Sequence, residues 1–208
     1  MLYLPRAFAS HDPAALDALL DADAFVTLIT VRDGAPVVSH LPVLHAREGD
    51  RLVLRGHWAK PNPQSTHDGP ALVIVHGPHA YVSPSWYPDK LEEARVPTWN
   101  YVVAHLHGTL ERFTDTDELA AIVSDLSDHN EPKVGKAWRY VDEDAYRSQL
   151  RGIVGFRFHV ERFDLKAKLS QNHPRANRES VIEHLAAQSS DDARDVARMM
   201  RATLEPGD

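Results

Sequence analysis

Short runs of alternating apolar and polar residues, closed by turn-forming pairs, narrow the folds open to this chain more than any other feature. Phe25 to Val31 (FVTLITV) is rich in β-branched residues and predicts a strand. Asp33-Gly34 follows, a pair that tolerates positive φ at both positions and closes two-residue hairpins. Pro36 to His45 predicts the second strand, Glu48-Gly49-Asp50 a turn, and Arg51 to Trp58 the third. Ala71 to His76 and His79 to Ser83 predict the fourth and fifth, with Gly77-Pro78 as the break between them. Thr98 to Phe113 reads as one long strand bent near Gly108. Ile153 to Phe163 alternates cleanly, with Val154, Phe156, Phe158 and Val160 inward and Arg157, His159 and Glu161 outward. The expectation is about six or seven antiparallel strands: a mainly β fold with helices, built as a small Greek-key barrel.

The helices announce themselves by caps. Asp12 before Pro13 starts a helix ending near Ala22, with Leu16, Leu19 and Leu20 as its apolar stripe. Thr114 to Leu126 switches to helical period, and Asp115, Asp117 and Glu118 crowd its first turn. Asp128 to Asp142 reads as irregular and Glu143 to Leu150 as a short helix. Arg175 to Leu204 is helical, with Ser190 as a cap and Ala193, Val196, Ala197 and Met200 as a stripe. The 208 residues then divide into a barrel over 1–174 and a helical tail over 175–208 packed on the same domain.

Composition removes several function classes. There is no Cys, so neither a disulfide framework nor a thiolate site is possible. No apolar run approaches the ~20 residues of a membrane-spanning helix. The first residues lack the basic start and apolar core of a secretory signal, and a cytoplasmic location is expected. The net charge of −7 comes without a basic stripe or a helix-turn-helix, so direct DNA binding is not expected. The glycine and serine signatures of P-loops, dinucleotide folds and serine hydrolases are absent. Among the thirteen His, only His105 and His107 are spaced to chelate from one strand face, so no metal site is expected.

What remains is a set of cations and aromatics. Arg55 and His57 share one face of the third strand, and Gly56 between them leaves room for close approach to the backbone. Lys60 lies just beyond, and Lys168, Gln171 and Asn172 follow a later strand. Together they are the donors that a phosphate requires. Tyr81 to Tyr101 (YVSPSWYPDKLEEARVPTWNY) carries Trp86, Trp99 and three Tyr on a loop stiffened by Pro84, Pro88 and Pro97. Such a loop either plugs one end of a barrel or closes over a flat ligand or another subunit; spacing alone favours the plug.

Six stretches carry a family resemblance: YLPRAF at Tyr3–Phe8, SHLP at Ser39–Pro42, RGHWAKPNPQ at Arg55–Gln64, GPHAYVSPSWYP at Gly77–Pro88, VPTWNYVVAHLHG at Val96–Gly108 and KLSQN at Lys168–Asn172. In this order they resemble the PaiB-type FMN-binding negative transcriptional regulators, which share the FMN-binding split barrel with pyridoxamine-phosphate oxidases and flavin reductases. Pro61, Ser65 and His173 depart from the family pattern. The resemblance implies a six-stranded antiparallel split barrel, a homodimer, and FMN in the groove between subunits. It places Arg55, Gly56, His57, Lys60 and Asn62 at the phosphate with Lys168, Gln171 and Asn172. Ser39, His40 and Leu41 would run beside the flavin, with Trp99 and Asn100 near its ring. It also turns the aromatic loop toward cofactor or dimer contact. Two alternatives stand beside an FMN-binding regulator: a flavin-dependent oxidoreductase, and a haem-binding split barrel using His76, His79, His105 or His107.

Overall fold

The structure, a computed structural model, describes residues 2–135, 140–141 and 143–204. Among them are eight strands: β1 (Ala9–Ser10), β2 (Phe25–Arg32), β3 (Ala35–Pro42), β4 (Leu44–Glu48), β5 (Arg51–Ala59), β6 (Gly69–Val82), β7 (Thr98–Phe113) and β8 (Ile153–Lys168). Five α-helices accompany them: α1 (Pro13–Ala22), α2 (Thr116–Asn130), α3 (Asp144–Leu150), α4 (Arg175–Ala186) and α5 (Asp191–Ala202). The strands hydrogen-bond in the order β3-β2-β6-β7-β8-β5-β4, and β1 adds to β8.

Eight strands stand where six or seven were expected; β1 was not foreseen, and the other differences are local. The predicted strand Pro36–His45 is divided at Val43 into β3 and β4, which pair with β2 and β5 respectively. Gly77-Pro78 does not break β6, because proline's fixed φ fits an extended backbone and removes only one ladder donor. β8 runs five residues past the predicted end at Phe163. Lys168, expected to follow the strand, is therefore its last residue, and Lys166 lies within it. The predicted irregular stretch after Asp128 is α2 as far as Asn130, then a 3-10 turn over Glu131–Val134; residues 136–139 and 142 lie outside the described residues.

The chain gathers into two compact units that interleave in sequence. The first comprises residues 1–18, 76–104 and 164–208; the second comprises 19–75 and 105–163.

The second unit is built on the pairing of β5 with β8. Gly56 lies opposite Phe156 in that register, and a Cβ on Gly56 would lie 2.6 Å from the Phe156 ring. Phe156 in turn packs on Trp58, ring centroids 4.4 Å apart. Gly56 thus makes room for a core phenylalanine. Gly155 accepts the Phe113 ring in the same way, and Gly108 lets the carbonyl of His159 come within 2.0 Å of where its Cβ would be. Helix α2 opens on Asp115, whose carboxylate accepts from the N–H groups of Asp117 and Glu118. Its Leu119 and Ala120 pack with Leu150 of α3 and with Phe113, Val123 and Ile153.

In the first unit the helical tail carries the core. Ala193, Val196, Ala197 and Met200 of α5 are buried as their spacing predicts, with Val181, Ile182 and Leu185 of α4. The aromatic stretch divides between its two readings. Tyr87 is buried and stacked on His173 at 4.9 Å, and Trp86 stacks on His184 at 5.2 Å. Asp89 takes both oxygens to Asn177, at 2.9 and 3.0 Å, and also pairs with Arg95. That bond to Arg95 is the main reason the Asp89 carboxyl falls to about 2. Trp99, by contrast, is half exposed.

Candidate functional site

The expected site residues fall in both units. In the second unit, β3 brings Ser39, His40 and Leu41, β5 brings Arg55 and His57, and the turn after β5 brings Lys60 and Asn62. Asn62 is the pivot of that turn. Its side-chain oxygen accepts from the Gln64 N–H at 2.9 Å, capping the 3-10 turn Pro63–Thr66, while its amide nitrogen donates to Ser39 Oγ at 2.9 Å. Sequence reasoning quoted Gln64 only as the end of a motif. Its buried amide nitrogen reaches Leu28 O (3.2 Å), Thr30 Oγ1 (3.2 Å) and Val37 O (2.9 Å), so it ties the turn to β2 and β3. Along β3, His40 is exposed with Nδ1 3.0 Å from Thr27 Oγ1, and Leu41 points into the core.

Two of these groups have unspent hydrogen-bonding capacity. His57 Nδ1 is buried with no partner among the described residues, and burial holds its pKa below the ordinary value, so the ring is neutral at pH 7. The Lys60 ammonium makes no ion pair among the described residues, and the side chain is exposed. Arg55 is different: its guanidinium bonds Asp125 of α2 at 3.0 Å. Arg55 also faces Arg157 across the β5–β8 ladder, and Arg157 bonds Glu118 at 2.5 Å. Asp125 and Glu118 lie two helical turns apart on α2, so this pair of arginines fastens the helix to the sheet.

In the first unit, Asn100 is fully buried. It donates to Ser170 Oγ (2.9 Å) and Met200 Sδ (3.3 Å). Ser170 sits at φ 63°, a conformation costly for a residue with a Cβ, and Asn100 braces it. The Gln171 amide is spent on its own turn, accepting from Leu169 N at 2.7 Å and donating to Ala167 O at 2.6 Å. Asn172 is exposed. Lys168 donates to Thr98 Oγ1 (2.5 Å) and Trp99 O (2.7 Å), and Trp99 meets Tyr81 edge-on at 5.9 Å. Lys168, Trp99 and Tyr101 also line an open cleft of about 630 Å³, together with Tyr3, Phe8 and Lys166. Of these, the sequence reading gave no role in a site to Tyr3 or Phe8; Lys166 belongs to the longest cationic cluster of the sequence, with Lys168, Arg175 and Arg178, which could serve a phosphate. Among the described residues no group of three or more His, Asp or Glu is placed to hold a metal ion.

The turn after β5 carries an exposed ammonium and an amide bonded to a hydroxyl of β3, and β5 itself carries an orphan imidazole; these are groups of the kind an anionic head group such as a phosphate takes. A flavin nucleotide is one class of ligand that carries such a head group. The comparisons agree. Residues 2–162 match the family described as "Putative FMN-binding domain". The chain is 32% identical to the Bacillus subtilis protease synthase and sporulation protein PAI 2 over 98% of its own length and 99% of that protein's. In fold it is similar to an FAD and heme binding protein from Mycobacterium smegmatis (TM-score 0.56, 23% identity, covering 77% of this chain and 73% of that one). A second similar structure is the flavocytochrome Anf3 from Azotobacter vinelandii (TM-score 0.56, 18% identity, 79% and 72%). The chain belongs to the FMN-binding domain family, as a PaiB-type member with the split-barrel fold class, and its cofactor is FMN.

Proposed function

We propose that the FMN phosphate is held in the second unit by Lys60, Asn62, Ser39 and His57. The observation that carries this is the orphan Nδ1 of His57 on the strand that leads directly into the Asn62 turn. A buried nitrogen without a partner costs about 1–3 kcal/mol, which a ligand's oxygen or hydroxyl recovers. Lys60 supplies the charge, and Asn62 is oriented by its two existing bonds. Arg55 keeps N–H donors that Asp125 does not use, but the carboxylate already offsets part of its charge, so its share is smaller than that of Lys60. Bound FMN supplies reversible redox chemistry, and the protein's share is to bind and orient it.

The regulatory reading follows the relative named for protease synthesis and sporulation. With a charge of −7, the chain is poorly suited to gripping a DNA backbone. We therefore assign regulation to a protein partner or to the redox state of the flavin, in a cytoplasmic homodimer. Titrating the protein with FMN, followed by quenching of flavin fluorescence, tests the site. Lys60→Ala and Asn62→Ala should each weaken binding at least ten-fold, about 1.4 kcal/mol. Unchanged titrations in both would remove the assignment. A salt-dependent shift of a specific DNA duplex would overturn the indirect route.

A further inference from the structure

Residues 83–97 join β6 to β7 with a single 3-10 turn, Pro84–Trp86, and belong wholly to the first unit. Connections in compact domains usually run to about four to six residues, and long ones are commonly lids or binding loops. Along this link only Tyr87 is buried. Leu91 and Val96 are 94% and 69% exposed, so the outer part places nothing apolar in the core. The link therefore has one hydrophobic anchor.

That anchor rests on His173. The Tyr87 and His173 rings are nearly parallel, 7° apart, with centroids at 4.9 Å. His173 Nδ1 is buried and has no hydrogen-bond partner among the described residues. The other ties of the link are polar or lie at the surface. Ser180 Oγ donates to Trp86 O at 2.6 Å, His184 stacks on Trp86, and Asn177 and Arg95 donate to Asp89.

A proton on His173 acts at the anchor itself. The charged groups facing the ring are Arg95 and Asp89 of the link and Lys168 of β8. Asp89, the anion among them, is already bonded to Arg95 and Asn177. Burial first, and Arg95 next, hold the His173 pKa below its ordinary value; Asp89 pulls it up and Lys168 down, less strongly. The π face of Tyr87 offsets part of the cost of a charged imidazole, but not its lost hydration. Parting the stack returns the ring to water and removes that cost.

We propose that residues 83–97 form a lid latched by the Tyr87–His173 stack, and that protonation of His173 releases it. Below pH 6.5 the released state takes the proton more readily than the latched one, so acid favours release. Trp99 lies just beyond the lid, and Lys168 donates to Trp99 O at 2.7 Å, so release loosens the corner that the resemblance gives to the flavin. That last consequence alone rests on the flavin reading.

Hydrogen exchange of the full chain, with no flavin added, tests the lid. Amide rates in 83–97, each divided by the intrinsic rate at the same pH, give the ratio of open to latched lid. Between pH 7.5 and pH 5.5 one group of ordinary pKa 6.5 can raise that ratio by at most about ten-fold. A rise of about three- to ten-fold is expected, with the amides of β7 still protected. His173→Phe keeps a flat ring and takes no proton, so its ratio should change by less than about 1.5-fold. His184→Gln, which removes the imidazole stacked on Trp86, should leave the rise intact. No rise in the unaltered protein, an equal rise in His173→Phe, loss of the rise in His184→Gln, or parallel loss of protection in β7 would overturn the proposal. If the larger phenyl ring itself holds the lid open at pH 7.5, His173→Gln takes its place with the same expectation. A lid open at pH 7.5 in both variants would mean that the imidazole acts without its charge, and would also overturn the switch.

Discussion

Arg55 is already paired, and that fact sets the size of its contribution to ligand binding. Its guanidinium lies 3.0 Å from Asp125, and the two side chains are 37% and 45% exposed. At that exposure water screens the pair, so its net worth is about 0.2–1 kcal/mol and not the several kcal/mol of a dry interior. The Asp125 carboxylate offsets the charge that Arg55 presents to a phosphate by up to this amount. Asp125→Asn removes the competing charge and keeps the shape of the side chain. The expected result is FMN binding tighter by about 1.4- to five-fold, since 1.4 kcal/mol corresponds to ten-fold. Arg55→Ala should weaken binding by less than the loss expected for Lys60→Ala. The assay is the same fluorescence titration at fixed ionic strength, with urea unfolding alongside to confirm that the fold is intact. If Asp125→Asn instead weakens FMN as much as Lys60→Ala does, Asp125 positions Arg55 for the ligand, and the competition argument is refuted.

Two further outcomes follow from the geometry. Gly108→Ala would place a Cβ 2.0 Å from the His159 carbonyl oxygen, a backbone atom that cannot turn away, and should cost about 3 kcal/mol or more in urea unfolding; a loss under 1 kcal/mol would mean that β7 and β8 part easily there. His57 and His173 have folded pKa values held below 6.5, chiefly by burial. In the window below 6.5 the unfolded chain therefore binds more protons than the folded one. Their contribution to stability is complete above 6.5 and declines as the pH falls through that window. The urea midpoint should drop between pH 7.5 and pH 5.5, and the drop should shrink in the His57→Gln, His173→Gln double variant; an identical drop would assign the acid sensitivity elsewhere.

Much of the architecture was written locally. Asp12 with Pro13, the acids after Asp115, and the stripe from Ala193 to Met200 marked helices whose limits depend on caps and on one buried face. The alternation through Thr98–Phe113 marked β7 in full, because period two is a property of the strand itself. The family too was legible, since its motifs pair residue types with spacings that short-range order preserves.

The partners of each side chain were decided only by the tertiary structure. Nothing near Arg55 in sequence announces Asp125, seventy residues later, and nothing near Asn100 announces Ser170 and Met200. Nothing near Gly56 announces that Phe156 packs where its Cβ would be. The setting of the Lys166–Lys168 pair was decided once β8 proved to extend through it and Tyr3, Phe8 and Tyr101 came to rest around it. Periodicity and capping are fixed by neighbours along the chain and can be read from it. Which charge is neutralised, which amide is spent and which cation stays unpaired depend on groups far apart in sequence, and only folding brings these together.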